Sequence, residues 1–161
     1  TAVVWGTLGD DNTLYIYREY YKAKGLSYPW HADRVLAVEC GQTLKGDEIE
    51  GRAGEQEPIE AGWGDPASRE GRDAFNAVGL ETWPAENDVQ LGYDRVRDRL
   101  RLRADNRPRI KFFTTCPISI KQIGGLVRNH KMIEVVQMKK DDHAADAVRY
   151  LCCGVYSWLG L

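Results

Sequence analysis

The chain contains no apolar run approaching the ~18 residues of a membrane-crossing helix. Its first residues, TAVVWGTLGDDN, lack the basic-then-apolar order of a signal peptide. There are four cysteines (Cys40, Cys116, Cys152 and Cys153), and none is spaced as a CxxC pair. That spacing fits neither a zinc site nor a disulfide framework, and it reads as buried free thiols in a reducing compartment. A glycine-rich loop ending in Gly-Lys-Ser or Gly-Lys-Thr is missing, so no P-loop ATPase motor is encoded in this stretch. Neither sign of charge dominates: 22 Lys and Arg face 24 Asp and Glu, a net of −2. No global basic field advertises nucleic acid, so any such surface must be local. Internal repeats and low-complexity tracts are also lacking.

What is present is enough for a core. The chain has 161 residues, 43% of them hydrophobic, and the natural expectation is one domain over 1–161. TAVVWGTL and LYIYREYY flank GDDN, a strand–turn–strand signal. Ser27 and Pro29 announce a helix over about 29–40. Residues 41–59, rich in glycine (Gly41, Gly46, Gly51, Gly54), read as a flexible insertion, with at most a short helical piece. A short strand ending at Gly64–Asp65, a helix from Ser68 to Gly79 and a second strand in LETWPA predict a parallel crossover. Residues 90–103 fit a strand or a helix; length and the Arg and Leu content favour helix, with Asp94–Arg97 and Asp98–Arg101 as i,i+3 pairs. RIKFFTT reads as a strand, CPISIKQIGGLVRN as a helix opened by Pro117, and MIEVVQM as a strand. A closing helix runs from about Asp141 to Trp158. The order is that of an α/β protein.

Two acidic motifs carry possible chemistry. In WGDP, Asp65 stands at the carboxyl end of a strand, where ligand sites of open α/β sheets gather. A turn or N-cap role would place an aspartate there equally well. In MKKDDHAADAVRY, three aspartates, Asp141, Asp142 and Asp146, crowd a helix start with His143. Asp141 or Asp142 can cap the helix, and acids there suit its dipole. Capping accounts less well for Asp146, beyond the first turn and beside apolar neighbours. Carboxylates converging from a strand end and a helix start are hard oxygen donors of the kind Mg²⁺ takes. Two such ions serve phosphodiester hydrolysis.

A basic stretch points the same way. Tyr93 to Lys111 holds eight Arg or Lys and three Asp, a local net of +5, and Lys139 and Lys140 precede the acidic cluster. Phosphate backbones attract such patches, with Arg95, Arg99, Arg103, Lys139 and Lys140 as candidates. A solvated helix face laced with ion pairs would look similar. The five tryptophans read as core or interface residues rather than base-stacking platforms.

The order TAVVWG, LYIYREYY, WGDPAS, CPISIKQI and KKDDHAADAVRY resembles the C-terminal nuclease domain of the large terminase subunit of tailed bacteriophages. The resemblance covers nearly the whole chain. Its most specific piece is DDHAADAVRY, close to a family ending (N/D)-D-H-x-x-D-A-x-R-Y; GDPA is the second. It implies an RNase H-like mixed sheet flanked by helices, and Mg²⁺- or Mn²⁺-dependent cutting of concatemeric double-stranded DNA with two ions in the complete site. By position, Asp65 matches the second acidic residue of the family site and Asp142 the third. Asp141 is an alternative third, and Asp146 an additional ligand or a supporting acid. The implied partners are double-stranded DNA, an ATPase motor domain, a portal protein and a small terminase subunit, with no membrane. The implied location is the cytoplasm of a bacterial host, outside the finished virion.

The family's first catalytic aspartate lies in a D-x-G strand before the segment matching TAVVWG. Asp10 and Asp11, in the hairpin turn, are poor substitutes for it. Two other readings stay open: an RNase H-like resolvase or transposase-type nuclease, against which DDHAADAVRY argues, and a non-catalytic DNA- or portal-docking module. A preparation beginning at Thr1 is expected to bind Mn²⁺ weakly and to cut DNA poorly, and robust Mn²⁺-dependent cleavage by it would contradict this expectation.

Overall fold

The computed structural model of the chain describes residues 1–22, 25–128 and 142–160. The elements are β1 (Ala2–Leu8), β2 (Leu14–Tyr21), α1 (Tyr28–Glu39), β3 (Thr43–Lys45), β4 (Glu48–Glu50), β5 (Trp63–Gly64), α2 (Arg69–Ala77), β6 (Trp83–Pro84), α3 (Val89–Leu100), β7 (Ile110–Phe112), α4 (Pro117–Arg128) and α5 (His143–Trp158). The protein is mixed α/β, with five helices and three small sheets among the described residues. No helix among them is long and apolar enough to cross a membrane. The chain forms two compact units, Thr1–Lys22 with Asp88–Leu161, and Ala23–Asn87. MIEVVQM lies outside the described residues.

In the first unit, β1 and β2 form the expected antiparallel hairpin. Its loop is fixed by Asp11, whose carboxylate accepts from the Thr13 amide at 3.1 Å and the Thr13 hydroxyl at 2.9 Å. Asn12 takes a positive φ of 64° there, a conformation asparagine tolerates better than most residues. β7 joins β2 in parallel, with Leu14 opposite Ile110 and Ile16 opposite Phe112, so β2 is central. Leu14, Ile16 and Ile110 meet Val96 of α3, Ile123 of α4, and Ala145, Val148, Cys152 and Val155 of α5 in one apolar cluster. A Cβ at Gly6 would stand 2.8 Å from Leu151 Cδ2, so the Leu151 side chain of α5 fills the space that glycine leaves. Full burial pushes the Cys152 thiol up to about 12, which keeps it protonated and inert. The apolar stripe of α5 ends at Val155, because Trp158 is 59% exposed.

The start of α1 follows the chemistry anticipated for it. Ser27 has an extended backbone and its side chain accepts from the Trp30 amide, with Pro29 in the first turn of α1. Asp88 does the same for α3 at the Leu91 amide, 2.9 Å away. The ambiguous basic segment is therefore helical. Its Asp94–Arg97 pair forms, but Asp98 bonds Arg103 at 2.7 Å instead of Arg101. Ser68 occupies the N-cap of α2 without a side-chain cap bond.

The second unit contains α1, the β3–β4 hairpin and the parallel pair β5–β6 with α2 between them in sequence. The segment expected to be an insertion with a short helical piece instead holds β3 and β4. Gly46 opens their two-residue turn at a φ of 62°, as a hairpin loop with glycine first requires. The chain beyond them returns to the end of α1: the Gly54 amide donates to the Cys40 carbonyl and Gln56 to the Glu39 carboxylate, each at 2.9 Å.

One cap was invisible in the sequence. The Glu19 carboxylate, on β2, accepts from the Ile118 amide at 2.9 Å, the Ser119 amide at 2.8 Å and the fully buried Ser119 hydroxyl at 2.7 Å. A carboxylate at a helix N-terminus satisfies amides with no partner inside the helix and complements its dipole. Glu19→Ala is expected to cost about 1–2 kcal/mol, as loss of a cap does, and Glu19→Gln distinctly less. Urea unfolding of the two variants checks this order.

Candidate functional site

The start of α5 differs from those of α1 and α3. Asp142 occupies the N-cap, but its backbone sits at φ −104° and ψ 6°, not extended, and its side chain makes no cap bond. The amides it would take belong to Ala144 and Ala145. Both donate to the Gln122 side-chain oxygen of α4, at 2.9 and 3.0 Å. The expectation that an aspartate caps this helix therefore fails for Asp142. Asp141, the other aspartate considered for capping, lies outside the described residues, as do Lys139 and Lys140.

One turn along, Asp146 faces α3. Its Oδ1 accepts from Arg149 Nε at 3.1 Å and from the Tyr93 hydroxyl at 3.3 Å. Arg149 is 3% exposed, and its guanidinium also lies over the rings of Tyr93 and Tyr150. Gly92 makes the slot for it: a Cβ there would meet Arg149 Cγ at 2.5 Å. Burial pushes the Asp146 carboxyl up despite the opposing pull of Arg149, and the charge of Asp142 adds to the rise. Burial, aided by Asp146, likewise drives the Tyr93 hydroxyl well above its ordinary range, so it remains a neutral donor. Asp146 is thus held by two donors and partly occupied, whereas Asp142 is bound in neither way.

A second polar cluster closes the other end of the α3–α5 seam. The Tyr156 hydroxyl donates to Asp98 at 2.6 Å, and Arg95 and Arg99 lie over the Tyr156 ring at 4.0 and 5.1 Å. These contacts correct part of the basic-patch reading. Arg99 is 4% exposed and donates to the backbone carbonyls of Asn12 and Arg109 at 3.1 and 3.2 Å, so it ties the hairpin turn to β7 and is not on a DNA-facing surface. Arg95 is half-buried on its aromatic ring, and Arg103 is exposed and paired with Asp98.

Asp65 stands in the second unit, exposed, immediately after β5. Its Oδ1 accepts from the Ala67 amide at 2.9 Å, and its carbonyl from the Ser68 amide at 3.1 Å and from Arg72. This is an aspartate turn leading into α2, and it leaves Oδ2 without a hydrogen bond in the set that defines the turn. The turn reading of Asp65 is the one these hydrogen bonds show. No group of three or more His, Cys, Asp or Glu side chains able to hold a metal ion occurs among the described residues.

Sequence reasoning missed Tyr93, Arg149 and Gln122. Arg149 sits in the DDHAADAVRY segment three residues after Asp146, an i,i+3 spacing that was legible. Gln122 offered no signal, because its partners are 22 and 23 residues away. Comparison of the chain with protein-family models, curated proteins and solved structures finds no match.

Two outcomes follow. Asp146→Ala removes the carboxylate that the buried Arg149 bonds and is expected to cost about 3 kcal/mol, the low end for breaking a buried pair; chemical denaturation measures it. The Tyr156 hydroxyl, then Arg103, hold Asp98 below the usual carboxylate range. A depressed carboxyl adds stability that is present above its unfolded value, near about 4, and lost as pH falls through the folded value. Thermal melts of wild type and Asp98→Asn should therefore differ at neutral pH and draw together as pH falls below the ordinary carboxylate range.

Proposed function

We propose that this chain is an RNase H-like, metal-dependent endonuclease domain of a large terminase subunit, which cuts concatemeric double-stranded DNA during viral DNA packaging. The observation that carries the reading is the Asp142 carboxylate. It stands at a helix start that needs a cap, yet Gln122 supplies the cap and the carboxylate takes no part. The α/β element order, the Asp65 turn at a strand end and the DDHAADAVRY segment support the same reading.

The residues fit a hard divalent cation in the chemistry of their donors, which are carboxylate oxygens. Asp142 is the proposed Mg²⁺ or Mn²⁺ ligand of its unit, with Asp141 and Asp146 as further acids, and Asp65 is proposed as a ligand on the resemblance alone. Bound ions of this kind activate water and stabilise the departing oxygen of a phosphodiester. The protein's own part is to orient the carboxylates. The Arg149 and Tyr93 donors keep the Asp146 oxygen in place. The Ala67 amide fixes the Asp65 carboxylate beside the strand end. Lys139, Lys140 and the exposed Arg103 are proposed to hold the phosphate backbone, and contacts of that kind carry little sequence preference.

In the full subunit, Asp65→Ala and Asp142→Ala are each expected to lower Mn²⁺-dependent cleavage of linear duplex DNA at least about a hundredfold, the scale of losing one transition-state charge stabiliser. Undiminished cutting by both variants would overturn the assignment. Preferential cutting of four-way junctions would favour a resolvase-type enzyme instead.

A further inference from the structure

We infer that Gln122 is a positioning residue: by capping α5 from α4, it keeps the Asp142 carboxylate off the helix amides and available as a ligand. The inference deepens the proposed function and rests on it for the word ligand. The capping competition itself stands on geometry alone.

An aspartate at an N-cap ordinarily accepts from the second or third helical amide. In α5 these belong to Ala144 and Ala145, and Gln122 Oε1 takes both. With both N–H groups on the amide oxygen, the carboxylate makes no bond to either. The backbone agrees. Ser27 and Asp88, whose side chains do cap, have ψ of 155° and 108°, whereas Asp142 has ψ of 6°. A neutral amide is also the suitable acceptor here. It satisfies the helix start without adding a third negative charge beside Asp142 and Asp146, and without neutralising the partial positive charge that favours anionic side chains there. The device explains why a good capping residue sits at a capping position and does not cap.

The test has two parts. The first is a thermal-stability cycle without metal. In wild type, Asp142→Ala should leave Tm nearly unchanged. In a Gln122→Ala background the carboxylate should swing onto the vacant amides, so that Asp142→Ala now lowers Tm by about 2–4 °C, the shift that loss of one cap gives in a chain of this size. In a Gln122→Glu background, which retains an acceptor, Asp142→Ala should again be nearly silent. Equal Tm changes in all three backgrounds would overturn the competition.

The second part is calorimetric titration of the full subunit with Mn²⁺. Gln122→Ala is expected to weaken binding about tenfold, the scale of losing a group that orients a ligand. Unchanged affinity in Gln122→Ala, with Asp142→Ala clearly weakened, would overturn the positioning role while leaving the metal reading intact. Equal affinity in wild type and Asp142→Ala would sink the metal reading, and the thermal cycle would still decide whether Gln122 and Asp142 compete.

Discussion

The packing of α5 on the β1–β2–β7 sheet is the contact on which the first unit depends. Ala145, Val148, Cys152 and Val155 bury one stripe of the helix against Leu14, Ile16 and Ile110. The Leu151 side chain fills the space that glycine leaves at position 6. Once that stripe faces the sheet, the rotation of the helix is set, and every polar group on it has its direction assigned. Asp146, Arg149 and Tyr156 fall on the side of α3, and the first amides of the helix come within reach of α4.

The polar arrangement is then an answer to burial. Arg149 cannot stay charged inside the seam without a carboxylate and aromatic faces around it, and Asp146, Tyr93 and Tyr150 provide them. Arg99 has carbonyl partners and an aromatic ring, although its Nε remains without a hydrogen-bond partner among the described residues. Helix starts are handled from outside the helices they begin: β2 caps α4 through Glu19, and α4 caps α5 through Gln122. Two of the three described helices in this unit thus have their starts satisfied by long-range partners. The effect is to couple strand, helix and candidate site into one hydrogen-bonded chain.

What was legible in the sequence and what was not divides along the range of the interactions. Local signals worked. Ser27 with Pro29 and the polar turn between two β-branched runs declared their structures within a few residues. The β3–β4 hairpin was hidden because TLK and EIE are short and largely exposed, so no apolar alternation marked them; Gly46–Asp47 was the one usable clue. Arg99 looked like its neighbours in a basic run because charge content does not record which arginine the helix turns inward. Gln122 and Glu19 could not be read as caps at all, since their partners are fixed by tertiary packing. At the candidate site, the aspartates were found from their pattern, but the division of labour between Asp142 and Asp146 became visible only when their hydrogen bonds were known.

The central claim is that Asp142 is kept apart from helix capping so that it can hold a divalent cation. The most direct measurement is anomalous scattering from a Mn²⁺-soaked crystal of the protein. The account predicts a peak within coordination distance of the Asp142 carboxylate, with the Ala144 and Ala145 amides still on Gln122. Manganese bound elsewhere, with Asp142 turned onto those amides, would contradict it.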